Sequence, residues 1–361
     1  MNAKTIILII VAVLFLLAAI FFFVYFGRFQ TISTIKKLTD YDDGFNLYSM
    51  TVQYDYSTKN IIASHFTDTQ GFTDAVVRES LPLLPVKIQL PSYGCSTYRA
   101  LSDEGDVLMG RNYDFKLNTS CMLVYCNPKD GYRSMAFSAL DNMHADDATA
   151  GLKEKMACLT SPFTCLDGIN EKGVSIAVLT LTSEPTDQNT GRDKITASLA
   201  IRLVLDYAAT TQEAVDLIRQ YDMYAVNGRD YHLFISDASG DSRVIEYDPE
   251  TPERKFVDTP MQAITNFYAL YIDKVLPNQK NGIYGLGKER YDAMMEVIEA
   301  NNGVLSGEAA WSALQAAATE PNPESVTSNT QWSVIYNNTD LTADIALRRH
   351  WDDITSFSLQ K

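Results

Sequence analysis

The sequence predicts an α+β protein in which helices cover β-sheets, preceded by one transmembrane helix. Short runs rich in β-branched and aromatic residues, bounded by turn formers, recur along the chain and predict many strands. Two helical segments occupy the middle of the chain, and further helices lie between later hairpins. Helices and strands mixed in this way favour helices that pack on sheets. A long apolar run near the first residue predicts the transmembrane helix.

The composition allows a globular domain and argues against a nucleic-acid partner. With 361 residues, of which 46% are hydrophobic, the chain can form one large domain or two small ones with a substantial core. Its formal net charge of −15 is the opposite of what phosphate binding needs, because nucleic-acid sites present a basic face. The acidic balance mainly favours solubility.

Residues 5–26 form an apolar run without a charged side chain. As a helix, such a run spans the hydrocarbon core of a bilayer, about 30 Å thick. No small-residue cleavage site follows the run before Arg28, so we expect residues 1–28 to remain as an anchor rather than to be removed as a signal peptide. The flanking charges are nearly balanced and do not set the orientation. We expect a single-pass membrane protein whose folded part lies outside the cytoplasm.

Residues 29–94 separate this anchor from the first motif with chemical potential. Alternating residues at 47–56 predict a strand, and residues 72–81 predict a short helix that the following prolines end. The segment contains no motif of its own and leads into Gly94.

A β-hairpin with reactive groups on both arms follows. Residues 95–101 and 106–113 predict its two strands, and an Asp-Glu-Gly turn joins them. Because a hairpin folds the chain back on itself, Arg111 and Asp114 return close to Cys95. A thiol with a guanidinium and a carboxylate in reach has the composition of an activated nucleophile.

The remaining elements alternate between strands and helices. In the middle of the chain we expect a strand at 121–126, a short helix at 153–158, a strand at 174–182 after a tight turn, a helix at 195–208, and a helix from Thr210 with Glu213 completing a capping box. Further on we expect a hairpin of 231–237 with 242–247, a strand at 261–266, helices at 288–300 and 308–318, and strands at 330–336 and 344–348.

The four cysteines other than Cys95 form two pairs that are close in sequence. Cys121 with Cys126, and Cys158 with Cys165, are candidates for disulfides in an extracellular domain. Buried free thiols are the alternative. Neither pair has CxxC spacing or a nearby histidine, so no zinc site is predicted.

Two segments resemble the choloylglycine hydrolases and their relatives, which include bile salt hydrolases, penicillin V acylases, acid ceramidase-like amidases and isopenicillin N acyltransferases. In the first segment an arginine follows Cys95 by sixteen residues, and an aspartate follows by three more. The second is Asp-Gly-Ile-Asn-Glu-Lys-Gly at 167–173, followed by a buried strand. The resemblance implies an N-terminal-nucleophile enzyme that acts on linear amides, with the four-layer αββα sandwich of that superfamily.

The resemblance also implies roles for the hairpin residues. Cys95 would be the nucleophile, Arg111 would lower the pKa of its thiol, and Asp114 would orient its α-ammonium. Once N-terminal, Cys95 carries an α-amine with a reference pKa of about 7.7–8.0, which can act as general base. Such a mechanism needs no histidine, cofactor or metal.

Three further residues take roles from the same resemblance. Asn266 corresponds to an asparagine that points at the scissile carbonyl, and Arg290 to an arginine that begins a helix near the nucleophile. Thr180 stands where bile salt hydrolases have an asparagine that lines the oxyanion site. Thr180 is therefore an oxyanion or substrate candidate, and the difference argues against bile salts as substrates.

Several relatives carry a segment ahead of the nucleophile and remove it by self-cleavage. By this resemblance residues 29–94 are propeptide-like, the cleaved bond joins Gly94 to Cys95, and residues 95–361 form the catalytic domain. The expected partners are a small-molecule N-acyl amide and, through the anchor, the membrane.

Four alternatives remain beside this interpretation. The enzyme could transfer the acyl group to a second amine, or the chain could be a catalytically silent, membrane-anchored binding domain. A papain-type hydrolase would need one of the four histidines, which are His65, His144, His232 and His350. A nucleotide site at the Gly-Leu-Gly of 285–287 lacks the third glycine of a phosphate loop.

Overall fold

The computed structural model of the chain describes residues 3–360 apart from 85–93, 227, 278, 280–283, 323 and 326–327. The α-helices formed by these residues are α1 Ala3–Ser33, α2 Thr58–Ile62, α3 Thr69–Ser80, α4 Leu152–Ala157, α5 Ala197–Tyr207, α6 Thr211–Ile218, α7 Ile272–Val275, α8 Lys288–Ala300 and α9 Gly307–Ala317. Short 3-10 helices lie at Asp141–Met143, Cys158–Phe163 and Ala269–Tyr271.

The strands of the same residues are, in chain order, β1 Lys36–Lys37, β2 Leu47–Thr51, β3 Gly94–Ser102, β4 Val107–Asp114, β5 Cys121–Cys126, β6 Ser134–Ala139, β7 Cys165–Asn170, β8 Ser175–Leu181, β9 Lys194–Ile195, β10 Asp222–Met223, β11 Asp230–Ser236, β12 Ser242–Tyr247, β13 Phe256–Pro260, β14 Ala263–Ile264, β15 Asn266–Phe267, β16 Gly285–Leu286, β17 Val304–Leu305, β18 Thr330–Asn337, β19 Thr342–Leu347 and β20 Thr355–Ser358.

Two large sheets organise the molecule. A nine-stranded sheet has the order β1-β2-β5-β6-β7-β8-β11-β12-β13, in which β2 pairs parallel with β5 and the other neighbours are antiparallel. A seven-stranded sheet has the order β14-β3-β4-β18-β19-β20, and β17 pairs parallel with β3 at its side. Two small sheets join β9 with β10 and β15 with β16.

Helices cover the outer faces of both large sheets. α5 packs on β7 and β8 and α6 on β11 and β12, whereas α8 and α9 pack on β3 of the seven-stranded sheet. One apolar core fills the space between the sheets and beneath α5, and a second lies between the seven-stranded sheet and α8 and α9. The layers therefore follow the order helix, sheet, sheet, helix, and the predicted α+β sandwich of four layers is confirmed.

The apolar run near the start of the chain lies in α1, whose residues from Lys4 onward form one helix long and apolar enough to cross a membrane. The helix continues past the expected boundary at residue 28 to Ser33. Its last turns contact the folded part, because Tyr25 and Thr31 are fully buried and Arg28 nearly so. Residues 29–94 are likewise part of the fold, since they contribute β1, β2, α2 and α3.

Most elements predicted from local patterns are present within one or two residues of their expected ends, including the hairpin of β3 and β4 and the helix α8. Half of the predicted capping box is present: Thr210 Oγ1 accepts the N–H of Glu213, but the Glu213 carboxylate accepts the N–H of Ala209 rather than that of Thr210. The prediction of one strand at 261–266 is wrong. The strand is interrupted at Thr265, and the residues on either side form β14 and β15, which belong to different sheets.

Candidate active site

The β3–β4 hairpin brings Cys95 and Arg111 together between the two large sheets. The strands pair antiparallel, with Thr97 opposite Arg111 and Gly94 opposite Asp114. Arg111 Nη2 donates to Cys95 Sγ over 3.1 Å, and both residues are fully buried. The geometry expected from the hairpin is thus present for the thiol and the guanidinium.

The guanidinium of Arg111 is held by the facing nine-stranded sheet. Its Nη1 forms a buried ion pair with Asp167 of β7, and its Nη2 also donates to the Val178 carbonyl of β8 over 2.9 Å. Asp167 accepts further hydrogen bonds from the Trp332 indole, over 3.2 Å, and from the Tyr336 hydroxyl. These bonds fix the cation beside the thiol.

Sequence reasoning missed the role of Asp167, although it quoted the segment that this residue begins. One local signal could have revealed it. Asp167 is a lone carboxylate in a strand whose six residues are all buried, and a buried charge needs a partner. A cation elsewhere in the chain, here Arg111, was therefore to be expected opposite it.

Asn266 faces the main chain of Cys95. Its Oδ1 accepts the Cys95 N–H over 3.3 Å, and its Nδ2 donates to the Thr180 carbonyl over 2.8 Å. These partners leave one consistent orientation of the amide, because a carbonyl only accepts and an N–H only donates. Thr180 thus enters the site through its main-chain oxygen.

Arg290 joins three of the predicted residues. From the first turn of α8 its Nη2 donates to Asn266 Oδ1 over 2.5 Å, while Nη1 donates to the Cys95 carbonyl over 3.1 Å and to Asp114 Oδ2 over 3.2 Å. The side chain is nearly buried rather than exposed on the helix surface. A cation at a helix N-terminus is electrostatically unfavourable, so its position is explained by these three acceptors.

Gly287, at the N-cap of α8, makes room for this arginine. Its φ of 88° is a left-handed conformation that favours glycine. A Cβ at this position would lie 2.6 Å from Arg290 Nη2 and 3.0 Å from Thr265 Oγ1. The glycine that sequence reasoning tested as part of a phosphate loop therefore permits the guanidinium to fold back over the helix end.

Asp114 is fully buried between two donors. Its Oδ2 accepts a hydrogen bond from Arg290, and its Oδ1 accepts one from the Thr330 hydroxyl over 2.7 Å. Burial raises the pKa of the Asp114 carboxyl above its ordinary value, and Arg290 and Thr330 oppose that rise. In the uncleaved chain the Cys95 N–H donates to Asn266 rather than to Asp114. Asp114 is connected to Cys95 indirectly, because both accept hydrogen bonds from Arg290.

The thiol of Cys95 is less acidic than expected. Arg111 does lower its pKa, but desolvation is the larger effect and raises the pKa above its ordinary value. The expectation that Arg111 brings this pKa down overall is therefore wrong for the uncleaved chain, in which the residue is fully buried.

The histidines do not supply a base to this thiol. His65 contacts Asp193 at the surface over 2.7 Å, and His350 stacks on a tyrosine ring. His232 is fully buried, with Nδ1 2.8 Å from Glu246 Oε1. No hydrogen bond found in the described part of the chain joins a histidine to Cys95, so the geometry disfavours a papain-type site.

The other cysteines take no part in the hydrogen bonds that hold Cys95. All five cysteines are buried free thiols, so the alternative of two disulfides is not realised in the structure. Within the described ranges, no group of three or more histidine, cysteine or acidic side chains could hold a metal ion.

Comparison with known proteins points in one direction. Residues 95–266 match the family model of the linear amide C-N hydrolases, choloylglycine hydrolase family. No curated protein sequence matches the chain.

Solved structures with the same fold exist. The chain is similar to a variant of the conjugated bile acid hydrolase from Clostridium perfringens, with 14% identity, a TM-score of 0.54, and coverage of 73% of this chain and 92% of that chain. It is also similar to the penicillin V acylase from Agrobacterium tumefaciens, with 20% identity, a TM-score of 0.54, and coverage of 74% and 87%. At these identities the likeness shows the shared fold.

Proposed function

We propose that the chain is a hydrolase of carbon–nitrogen bonds other than peptide bonds, because residues 95–266 match the model of the choloylglycine hydrolase family of linear amide C–N hydrolases, and that Cys95 is its nucleophile. One observation carries this proposal. The Cys95 thiol accepts a hydrogen bond from Arg111 Nη2 over 3.1 Å, and the Cys95 main-chain N–H donates to Asn266 Oδ1 over 3.3 Å. Both atoms that an N-terminal nucleophile uses thus have a fixed polar partner.

Cleavage between Gly94 and Cys95 comes first. The Cys95 thiolate attacks the Gly94 carbonyl carbon, the peptide C–N bond breaks, and a thioester forms while the released nitrogen takes up a proton. Water then hydrolyses the thioester, which leaves a carboxylate on Gly94 and a free α-amine on Cys95. The bonds from Cys95 to Asn266 and Arg290 hold the residue on both sides of its Cα during this step. Gly94 has no Cβ and permits close approach of the thiol.

The two products are expected to stay together. β2 lies inside the nine-stranded sheet between β1 and β5, so a chain of residues 1–94 remains hydrogen-bonded to a chain of residues 95–361. Residues 29–94 are thus a cleaved but retained segment, and residues 95–361 are the catalytic domain.

Amide hydrolysis then follows from the same groups. The α-amine of Cys95 takes the thiol proton, and the sulfur attacks the carbonyl carbon of the N-acyl substrate. Negative charge develops on the carbonyl oxygen. One Nδ2 hydrogen of Asn266 binds the Thr180 carbonyl, and the second is left for this oxyanion. Such a donor is typically worth about 3–4 kcal/mol in the transition state.

The leaving amine receives its proton from the α-ammonium. Collapse of the tetrahedral intermediate breaks the C–N bond and leaves a thioester, which water cleaves with the α-amine again acting as base. Arg290 fixes the carbonyl side of Cys95, and the Asp114 carboxylate balances the charge of that arginine. The residues use no cofactor or metal in these steps.

Membrane anchorage through α1 is part of the proposal. The helix is long and apolar enough to span a bilayer, and its last turns are joined to the folded domain by buried side chains. A signal sequence removed at residue 28 would break those contacts, so we infer an uncleaved anchor with the catalytic domain outside the cytoplasm.

The test uses purified protein without the apolar run and a panel of N-acyl substrates: bile salts, penicillin V, N-acyl amino acids and N-acyl ethanolamines. Hydrolysis of at least one of them, abolished by Cys95→Ala, is the expected result. An added amine that appears in the acylated product would identify acyl transfer instead. A correctly cleaved protein without thiol-dependent turnover on any acyl amide would favour the silent binding domain.

A further inference from the structure

His232 and Glu246 form a fully buried pair next to the active site that the mechanism above does not use. They lie on the neighbouring strands β11 and β12, with His232 Nδ1 2.8 Å from Glu246 Oε1. The other ring nitrogen, Nε2, lies 2.9 Å from the carbonyl oxygen of Thr265. The imidazole thus bridges a carboxylate and a main-chain carbonyl.

The partners determine the protons on this imidazole. A carbonyl oxygen only accepts, so Nε2 carries a hydrogen. Glu246 accepts the N–H groups of Ala269, over 2.7 Å, and Leu270, over 2.9 Å, one on each oxygen. Nδ1 and Glu246 Oε1 share one hydrogen, so hydrogen bonds hold both ring nitrogens and both carboxyl oxygens.

The carbonyl that His232 holds belongs to the residue immediately before Asn266. Thr265 is where the chain leaves β14 and enters β15, so no regular strand fixes it. Its hydroxyl donates to the Gly287 carbonyl over 2.8 Å, and its carbonyl accepts from His232. The main chain is thereby held from two sides just where the Asn266 side chain begins.

We propose that His232 and Glu246 are positioning residues that fix the Thr265 carbonyl and thereby the Asn266 amide, so that its Nδ2 donor meets the oxyanion of the transition state. This inference rests on the proposed role of Asn266. It predicts an effect on kcat rather than on KM, because a donor that bonds only to the developing oxyanion does not change binding of the ground state.

The test compares His232→Leu and His232→Gln with a matched control, Arg202→Leu. Arg202 also forms a buried ion pair, with Asp206 on α5 over 2.8 Å, but has no bond to the active site. We expect His232→Leu to lower kcat at least about 30-fold with KM within about twofold, since full loss of such a donor costs about 10²–10³ in kcat. His232→Gln keeps an N–H donor for Thr265 and should recover part of the rate. Arg202→Leu should lower the melting temperature with kcat unchanged.

A double variant separates this inference from the proposed function. In protein that carries Asn266→Ala, His232→Leu should change kcat by no more than about twofold, because the group it positions is gone. Equal losses from His232→Leu in both backgrounds would overturn the inference. A folded His232→Leu protein with normal kcat would do the same. Normal kcat for Asn266→Ala alone would instead overturn the proposed role of Asn266.

A different region supports a second, independent inference. The last turns of α1 are bonded to the end of α3 and the chain after it. Arg28 donates to the Ser80 carbonyl over 2.6 Å and to the Glu79 carbonyl over 2.7 Å, and the Tyr25 hydroxyl donates to the Pro82 carbonyl. The helix and the domain therefore form one rigid body at this junction.

The junction lies at the depth where the apolar run ends. At 1.5 Å per residue the run of 5–26 is about 33 Å long, close to the thickness of a bilayer core. Tyr25 is one residue inside its end, so its partner Pro82 lies at the membrane boundary. The next residue, Leu83, is 86% exposed and has a left-handed φ of 74°, a conformation that is unfavourable for leucine.

The geometry points to Leu83 as a second membrane contact, inserted into the lipid beside the anchor so that the domain lies on the bilayer in one orientation. This inference rests on the proposed anchor. Full-length Leu83→Trp, Leu14→Trp and Val304→Trp proteins in phosphatidylcholine vesicles test it, with quenching by brominated acyl chains as the measurement. Leu14 is in the anchor, and Val304 is exposed on β17, outside the elements that contact α1.

Quenching of the added tryptophan in Leu83→Trp and Leu14→Trp, but not in Val304→Trp, is the expected result. Leu83→Trp fluorescence that stays at the level of Val304→Trp while Leu14→Trp is quenched would overturn the lipid contact and leave the anchor standing. Absence of quenching in Leu14→Trp would overturn the anchor itself, and with it this inference.

Discussion

Arg290 Nη2 lies 2.5 Å from Asn266 Oδ1, which ties the first turn of α8 to the short strand that carries the proposed oxyanion donor. The same guanidinium reaches the Cys95 carbonyl and the Asp114 carboxylate. One side chain therefore connects the main chain of the proposed nucleophile, a buried acid and an amide, which lie on the three strands β3, β4 and β15. Because these bonds converge, displacement of Arg290 should affect all three residues at once.

Loss of Cys95, the proposed nucleophile, should stop both self-cleavage and amide hydrolysis. We expect Cys95→Ala to remain a single chain of 361 residues and to hydrolyse no amide, because the same sulfur attacks the Gly94 carbonyl and the substrate. Intact mass and N-terminal sequencing, followed by a turnover assay, measure the two effects. Cys121→Ala and Cys158→Ala are the controls, since those thiols are buried like that of Cys95 but lie outside its motif. Wild-type turnover by the Cys95 variant would end the assignment.

Charge-bearing partners of the nucleophile should matter nearly as much. Arg111→Ala and Asp114→Asn are each expected to lower kcat by at least about 10²-fold, because Arg111 positions the thiol and Asp114 positions Arg290, which holds Cys95. Arg133→Ala is the matched control, because Arg133 forms a half-exposed pair with Glu171 that such substitutions barely affect. Circular dichroism checks the fold. Near-normal kinetics in correctly folded variants would mean that the ion pairs are only structural.

Space for Arg290 can be removed without touching any reactive group. Gly287→Ala would place a Cβ 2.6 Å from Arg290 Nη2, so we expect kcat to fall at least about tenfold. Gly44→Ala is the control: its φ of 84° gives similar backbone strain, but no atom lies within 4 Å of the added Cβ. Both variants should lose about 1–2 kcal/mol of stability from the strained conformation. Equal kcat in the two variants would contradict the crowding argument.

Self-cleavage should accelerate with rising pH. Burial raises the pKa of the Cys95 thiol in the uncleaved chain, so near neutral pH only a small fraction is thiolate. Below that pKa the thiolate fraction grows tenfold per pH unit, and we expect the cleavage rate constant to rise at least about tenfold from about pH 6 to about pH 8. Arg111→Gln should shift the profile further towards alkaline pH, since Arg111 lowers this pKa. Fastest cleavage at acidic pH would rule out attack by a free thiolate.

Truncation should distinguish the proposed membrane-spanning part of α1 from the part that packs on the domain. Deleting residues 1–22 should give soluble protein, because residues 4–22 are all exposed. Deleting residues 1–33 also removes Arg28, whose bonds to the α3 end are charge-assisted and each worth about 1.5–3 kcal/mol.

We therefore expect the longer deletion to lower the melting temperature by at least about 5 °C relative to the shorter one. Arg28→Ala, made in the chain that lacks residues 1–22, should reproduce part of that loss. Equal melting temperatures for both deletions would mean that the last turns of α1 contribute nothing to the fold.

Local elements could be predicted well because their signals lie within a few residues. Helix α8 spans Lys288–Ala300, as its apolar spacing and following Asn-Asn-Gly indicated. The β3–β4 hairpin needed only two strand patterns and a turn. The break at Thr265 could not be predicted, since residues 261–266 have an ordinary strand composition. Its cause is long-range: β14 pairs with β3, whereas β15 pairs with β16.

The sequence by itself determined the chemistry that is possible here: a thiol, a guanidinium and a carboxylate at the spacing of a hairpin, with an asparagine and an arginine far along the chain. Tertiary structure decided which of these groups meet. The buried charge of Arg111 needs Asp167 from the other sheet as its partner. Hydrogen bonds to the Thr180 carbonyl and from Arg290 fix the position of the Asn266 side chain. Contacts between layers depend on how two sheets and a helix stack, and desolvation by that stacking is also why the Cys95 pKa rises although a cation touches it.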